Sequence, residues 1–299
     1  MKDRTITRAL AVGLLAVVTA AGLVSPVWAV QYSIQKPQNL YGTLNQNLIP
    51  GGGQFMCGPT AAVNSFVYLE NAYPLVYNRN LVPDNNPPNG AHDPAELIAT
   101  AQLLAAANYM NTMVALGASG TYDDMFIYGK YRYLEDNAAG QTVYSAELKS
   151  TWGWGVGVRP PAQIPPIPKP AWVQQNTIPT WQFLFNELTA CEDVEILIVD
   201  GDWGHYLTLT SFFWNDANNN GIIEQAEGAS IDYIDPATGA PGISPIGHAI
   251  GGGPQLFVSY GMYPNAQVVM AVSESPIPEP ATLSLLAFGG LLTLTRRKR

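Results

Sequence analysis

Residues 194–214, VEILIVDGDWGHYLTLTSFFW, decide the fold class. Apolar and β-branched residues fill Val194–Val199. From His205 to Trp214 they alternate with threonine and serine, so both runs read as strands, the second half-buried in a sheet. Ile231–Ile234, Leu256–Tyr260 and Val268–Val272 read the same way. Upstream the period changes. Cys57-Gly58-Pro59-Thr60 puts a proline in a first helical turn, where its missing N–H costs nothing, and Val63, Phe66 and Val67 follow at i, i+3, i+4 spacing. Asp93-Pro94 caps a second helix running through Leu97, Ala101 and Leu104 to about Met110. Further helices are predicted over Tyr122–Glu135 and Trp181–Leu188. Residues 31–53 read as an extended lead-in, 79–92 as a loop, and 159–170, RPPAQIPPIPKP, as an extended connector. Helices first and strands later, with little alternation, predict an α+β fold: N-terminal helices packed on a C-terminal antiparallel sheet.

Of the 299 residues, 47% are hydrophobic and 12% charged, which excludes a disordered chain. The net charge is -9, but seven of the 14 basic residues and one of the 23 acidic ones lie in the first 29 or last four positions. That leaves a body of about −15, which has no electrostatic grip on a phosphate backbone and excludes nucleic acid as a partner. At the N-terminus, residues 1–29 combine Lys2, Arg4 and Arg8, the apolar run Ala9–Val24, and small residues Val27 and Ala29. They read as a cleavable signal peptide rather than a permanent anchor. Export exposes thiols to an oxidising compartment, and the two cysteines, Cys57 and Cys191, leave a structural disulfide open as one reading of Cys57.

A second reading of Cys57 is chemical. At a helix N-terminus the backbone N–H groups and the macrodipole favour an anion, which lowers a thiol pKa. His205 opens a predicted strand after Gly204, where an imidazole beside Cys57 serves as general base and then acid. Asp235, before Pro236, ends the next strand, where a carboxylate holds the ring in one tautomer. The bland alternatives are a satisfied histidine and a turn carboxylate. His92 precedes the Asp93-Pro94 cap in a polar loop, His248 sits in IGHAIGGGP without a matching partner, and without HExxH or CxxC a zinc site is not expected. Trp152, Trp154, Trp172 and Trp181 cluster around the proline-rich connector and are read as clamping it to the core.

The segments QFMCGPTAAVNSFVYLE (54–70), GHYLTLTSF (204–212) and SIDYIDP (230–236) resemble the papain-like bacteriocin-processing cysteine peptidases, the thirty-ninth cysteine-peptidase family. The resemblance implies a papain-like fold over residues 30–275 with Cys57 as nucleophile, His205 as base, Asp235 as orienting group, and a peptide or protein substrate. The family carries an oxyanion-hole glutamine about six residues before the cysteine. Here that position is Gly51, and the nearest glutamine is Gln54. Two rivals stay open: a catalytically silent papain-like module of the cell surface, and a thiol amidase or acyltransferase with the same triad.

The C-terminus, residues 276–299, runs from PIPEP through the apolar stretch Ala281–Thr295 to RRKR. It is similar to the PEP-CTERM sorting signal. That resemblance implies an exosortase as processing partner, transient tethering in the inner membrane of a Gram-negative-type envelope, and release to the surface or an exopolysaccharide matrix.

Residues 216–227, DANNNGIIEQAE, fit D-x-[DN]-x-[DN]-G-x5-E at every specified position. Asp216, Asn218 and Asn220, the Ile222 carbonyl, Glu224 at position 9 and Glu227 at position 12 form the expected oxygen shell for a structural Ca2+, with Gly221 at the sharp turn. A strand precedes the loop, so a paired EF-hand domain is not expected; the competing reading is an Asn/Asp-rich hairpin loop.

Overall fold

The computed structural model describes residues 29–84, 92–115, 118–153, 168–190, 192–249 and 252–277. In chain order the elements are β1 (Val30–Gln35), α1 (Cys57–Ala72), α2 (Pro74–Tyr77), α3 (Pro94–Ala105), β2 (Met113–Ala115), β3 (Ala118–Gly120), α4 (Asp123–Ala138), β4 (Thr142–Leu148), β5 (Val173–Gln175) and α5 (Trp181–Thr189). Six strands follow: β6 (Asp193–Asp200), β7 (Trp203–Asp216), β8 (Ser230–Asp235), β9 (Ala240–His248), β10 (Leu256–Tyr260) and β11 (Tyr263–Pro276). The architecture is α+β. Each strand from β6 to β11 pairs antiparallel with the next, and β11 returns to pair with β6, so the six close into a ring. β1 continues the edge of β7, β4 continues the edge of β11, and β5 lies parallel on β4, which makes the sheet mixed.

Alternation along the strands sorts two cores. Val194, Ile196 and Ile198 of β6 join Leu207, Leu209, Phe212, Ile231, Val258 and Val268 in one, against α5. The opposite faces of β6 and β7, with Leu197 and Tyr206, join Phe66, Leu69, Leu104, Phe126 and Leu134 of the helical layer in the other. Helix α1 runs between layers with every residue from Cys57 to Glu70 buried. Such a helix is hydrophobic all round, and its polar side chains must find partners. Asn64 Oδ1 accepts from Leu44 N at 2.8 Å, and its Nδ2 donates back to the Leu44 carbonyl, tying the lead-in to the helix.

A buried ion cluster joins α4 to this sheet face. Lys130 Nζ is 2.5 Å from Glu195 Oε1 and from Glu274 Oε2 and 3.5 Å from Asp193 Oδ2, all at or near zero exposure. Ser65 donates to Asp193 from α1. The three carboxylates approach one another closely enough to hold a metal ion, but the Lys130 ammonium stands among them and supplies the positive charge. Burial pushes Glu274 up to about 7, against the pull of Lys130.

Four predicted helices and five predicted strands are present, the second helix ending at Ala105 rather than near Met110. The lead-in differs. Its first residues form β1, an edge strand on β7, and the rest makes short 3-10 turns. β1 alternates, with Val30, Tyr32 and Ile34 half-buried on one face and Gln31, Ser33 and Gln35 exposed on the other, so its pairing with β7 agrees with its own pattern. Trp181 lies against Tyr32 and Trp214, away from Trp172, which stacks on Tyr144. Trp154, Cys191, most of the proline-rich connector, residues 1–28 and residues 278–299 lie outside the described residues. Among the described residues no helix is long and apolar enough to cross a membrane.

Candidate active site

Cys57 is the first residue of α1 and carries a free, buried thiol. Its neighbour Gly58 packs so tightly that a Cβ there would lie 2.9 Å from Thr121 Oγ1 and 3.0 Å from Thr121 Cβ. The glycine of the Cys-Gly-Pro segment therefore lets the chain at Thr121 close over the helix start. Tyr206 OH donates to the Thr121 carbonyl at 3.0 Å and fixes that strap from the β7 side.

His205 sits on β7 with 5% exposure, and Asp235 ends the neighbouring β8. His205 Nε2 is 2.9 Å from Asp235 Oδ1. The imidazole also lies near enough to the Cys57 thiol for each group to shift the titration of the other. With Nε2 engaged by Asp235, Nδ1 is the nitrogen left for sulfur. The three side chains thus form one chain of electrostatically coupled groups drawn from a helix end and two adjacent strands.

Electrostatics follow from that chain. Burial pushes the Cys57 thiol up, but the His205 hydrogen bond and charge, with the Tyr206 and Gly58 backbone N–H groups, outweigh it and hold the thiol below its ordinary value. Burial alone would lower His205; Asp235 and Cys57 raise it to about 9. Asp235 is likewise penalised by burial and still held low, by His205, the Ala237 N–H and Tyr260 OH. The arrangement favours a thiolate–imidazolium pair backed by an ionised carboxylate.

Gln54 lies in the 3-10 turn Gly53–Phe55 just before Cys57, is exposed, and makes no hydrogen bond among the described residues. Sequence reasoning missed the aromatic residues around the imidazole. Trp203 stacks on it at 5.9 Å, Tyr260 lies tilted against it at 5.2 Å, and Trp203 itself stacks on Tyr263 at 3.9 Å. Trp203 stands two residues before His205, a spacing that puts both on one strand face. Nothing local marks Tyr260.

The 216–227 loop forms the turn of the β7–β8 hairpin, whose other end carries His205 and Asp235. Asp216 has zero exposure; its carboxylate accepts from Asn220 N and Gly221 N, and Asn220 Oδ1 accepts from Ile222 N at 2.7 Å. Gly221 has φ 72°, a left-handed turn that suits glycine. Glu227 accepts from Trp214 Nε1 at 2.8 Å and from Ala217 N, and Glu224 accepts from Asn220 Nδ2. These are hard oxygen donors on one turn, but among the described residues only Asp193, Glu195 and Glu274 bring three acidic ligand atoms within 4.8 Å of one another. His248 holds the loop from β9: its Nδ1 accepts Ile223 N–H at 2.8 Å, and its own N–H donates to the Ile223 carbonyl.

Compared with known proteins, the chain matches no family model and no curated protein.

Proposed function

We propose that the protein is a papain-like thiol hydrolase, most simply a cysteine peptidase, working through Cys57, His205 and Asp235. The observation that carries this reading is the grouping of a Cys57 thiol at a helix N-terminus with a His205 imidazole that is hydrogen-bonded to Asp235 at 2.9 Å and electrostatically coupled to the thiol. In the proposed reaction Cys57 sulfur attacks a carbonyl carbon. The imidazolium gives its proton to the leaving nitrogen, the C–N bond breaks, and a thioester remains. Water then attacks the thioester, losing a proton to His205, and the acid leaves as the thiol re-forms. Asp235 keeps Nε2 engaged so that Nδ1 faces sulfur. The Cys57 backbone N–H is the first oxyanion donor of this scheme; Gln54 joins it by turning inward from its exposed position.

In the same proposal a Ca2+ held by Asp216, Asn218, Asn220, the Ile222 carbonyl, Glu224 and Glu227 braces the β7–β8 hairpin and takes no part in the chemistry. Export through residues 1–29, and exosortase sorting through residues 276–299 to the cell surface or matrix, rest on those sequences. A thiol amidase or acyltransferase would use the same relay, and substrate profiling separates it from a peptidase.

The deciding experiment is intact mass after iodoacetamide or an E-64-type probe, with Cys57→Ala as control. Labelling at Cys57 that His205→Ala suppresses supports the hydrolase; an unlabelled Cys57 would leave the silent surface module as the reading.

A further inference from the structure

The Asp235 carboxylate has a third partner. Tyr260 OH donates to Asp235 Oδ2 at 2.8 Å, while Oδ1 accepts from His205 Nε2 at 2.9 Å and from Ala237 N at 2.8 Å. Three donors on two oxygens leave the carboxylate plane no freedom to rotate away from the imidazole. The Tyr260 ring also leans on that imidazole, with centroids 5.2 Å apart and 38° between planes, and touches Trp203 at 5.6 Å. One side chain therefore contacts both His205 and Asp235.

The backbone explains how it arrives there. In the β10–β11 pair the register shifts between Val258 and Tyr260, so Val258 faces Ala266 whereas Tyr260 faces Tyr263. The extra residue of this irregularity lies on β11, so Tyr260 keeps the face of Val258, two residues earlier, by ordinary strand alternation. Tyr260 stands at the end of β10, so its side chain reaches the mouth of the ring where β7 and β8 deliver His205 and Asp235.

We infer that Tyr260 is the positioning residue of this site: through its hydroxyl and ring it fixes Asp235 and His205 in the orientation that presents Nδ1 to Cys57. The inference rests on the thiol-hydrolase reading above and adds to it a residue outside the triad. Without the hydroxyl, Asp235 Oδ2 loses its donor. The less stabilised carboxylate takes up a proton at higher pH, and while ionised it pulls harder on the imidazolium proton.

The test is the pH profile of Cys57 alkylation by iodoacetamide in the full chain and in Tyr260→Phe, which keeps the ring, with thermal unfolding measured alongside. The expected result is that the step set by His205 deprotonation moves upward in Tyr260→Phe by about half to one pH unit, the part passed on to the imidazole of a hydrogen bond to a charged group. A Tyr260→Phe profile with that step unmoved overturns the positioning role while leaving the triad intact, even if the melting temperature falls. A full chain whose Cys57 alkylates no faster than a simple thiol overturns both readings together.

Discussion

Thr121 stands against Gly58 so closely that a Cβ on the glycine would lie 2.9 Å from its Oγ1, with Phe126 only 3.3 Å away on the other side. The helix start that carries Cys57 and the strap ahead of α4 are thus one packed unit, and their separation tolerates no added methyl. Gly58→Ala should destabilise the fold by ~1–3 kcal/mol, the range for overpacking a filled site, and slow Cys57 alkylation because the helix start must shift. Urea unfolding and alkylation rates check this; an unchanged midpoint would show that Thr121 can give way.

The relay sets the sign of the pH dependence. The thiolate–imidazolium pair exists from the lowered thiol value up to His205 deprotonation at about 9. Proposed hydrolysis should therefore fall as pH rises through about 9, when the imidazolium that protonates the leaving group is lost. In His205→Ala, burial of Cys57 is no longer opposed by the imidazole, so alkylation at pH 6 should drop at least a hundredfold, about the minimum expected of a lost acid–base partner. Equal rates in the two proteins at pH 6 would remove His205 from the site.

Stability should rise as pH falls from 8 to 6.5. Glu70 and Glu274 are raised to about 7 and Glu187 to about 8, all chiefly by burial. A carboxyl raised in the folded state binds protons on folding, so its contribution is fully present below its unfolded value and fades as pH climbs through the folded one. Over this window the Cys57–His205 pair adds little, because one group's lost proton is the other's gained. His92, held down to about 4 by burial and Arg79, and His248, also lowered by burial, oppose the trend increasingly toward its lower end, since an unfolded histidine is half charged at about 6.5. A melting temperature flat or falling from pH 8 to 6.5 would contradict this assignment.

Lys130→Met should cost ~3–5 kcal/mol, the penalty for stranding buried charge. The loss should be larger at pH 8 than at pH 6, since Glu274 and Glu195 escape part of it by taking protons. Denaturant melts at the two pH values give the comparison; a variant as stable as the parent would mean the cluster is already neutral.

The 216–227 loop offers an optical test. Trp181 Nε1 donates to the Gly221 carbonyl at 3.0 Å and Trp214 Nε1 to Glu227, so Tb3+ bound in place of Ca2+ should luminesce on tryptophan excitation. Ca2+ should displace it, EDTA should lower the melting temperature, and Glu227→Gln should abolish the signal while keeping an acceptor for Trp214. A melting temperature indifferent to EDTA would remove the brace.

Much of this was legible locally. Cys57-Gly58-Pro59 announced a helix start, the alternation after His205 announced a half-buried strand, and the 216–227 motif announced a turn with oxygen donors. In each case the residues that set the structure are sequence neighbours, and helix or strand period reports burial directly. β9 escaped because the proline- and glycine-bearing APGISPIGH carries little period of its own and pairs only because β8 and β10 are beside it, whereas the alternation of β1, VQYSIQ, is legible in the sequence.

The sequence by itself determined the α+β class, the helix that begins at Cys57, and which three side chains could share a proton. Only the tertiary structure decided that they meet, because contact between Cys57, His205 and Asp235 depends on closure of the strand ring and on the register of β7 with β8. It also decided what no spacing announces: that the end of β10 brings Tyr260 onto Asp235, and that Lys130, far along the chain from Glu195 and Glu274, is their shared cationic partner. Charges buried by packing must be paired inside the protein, and which residues become partners is set by how the layers stack.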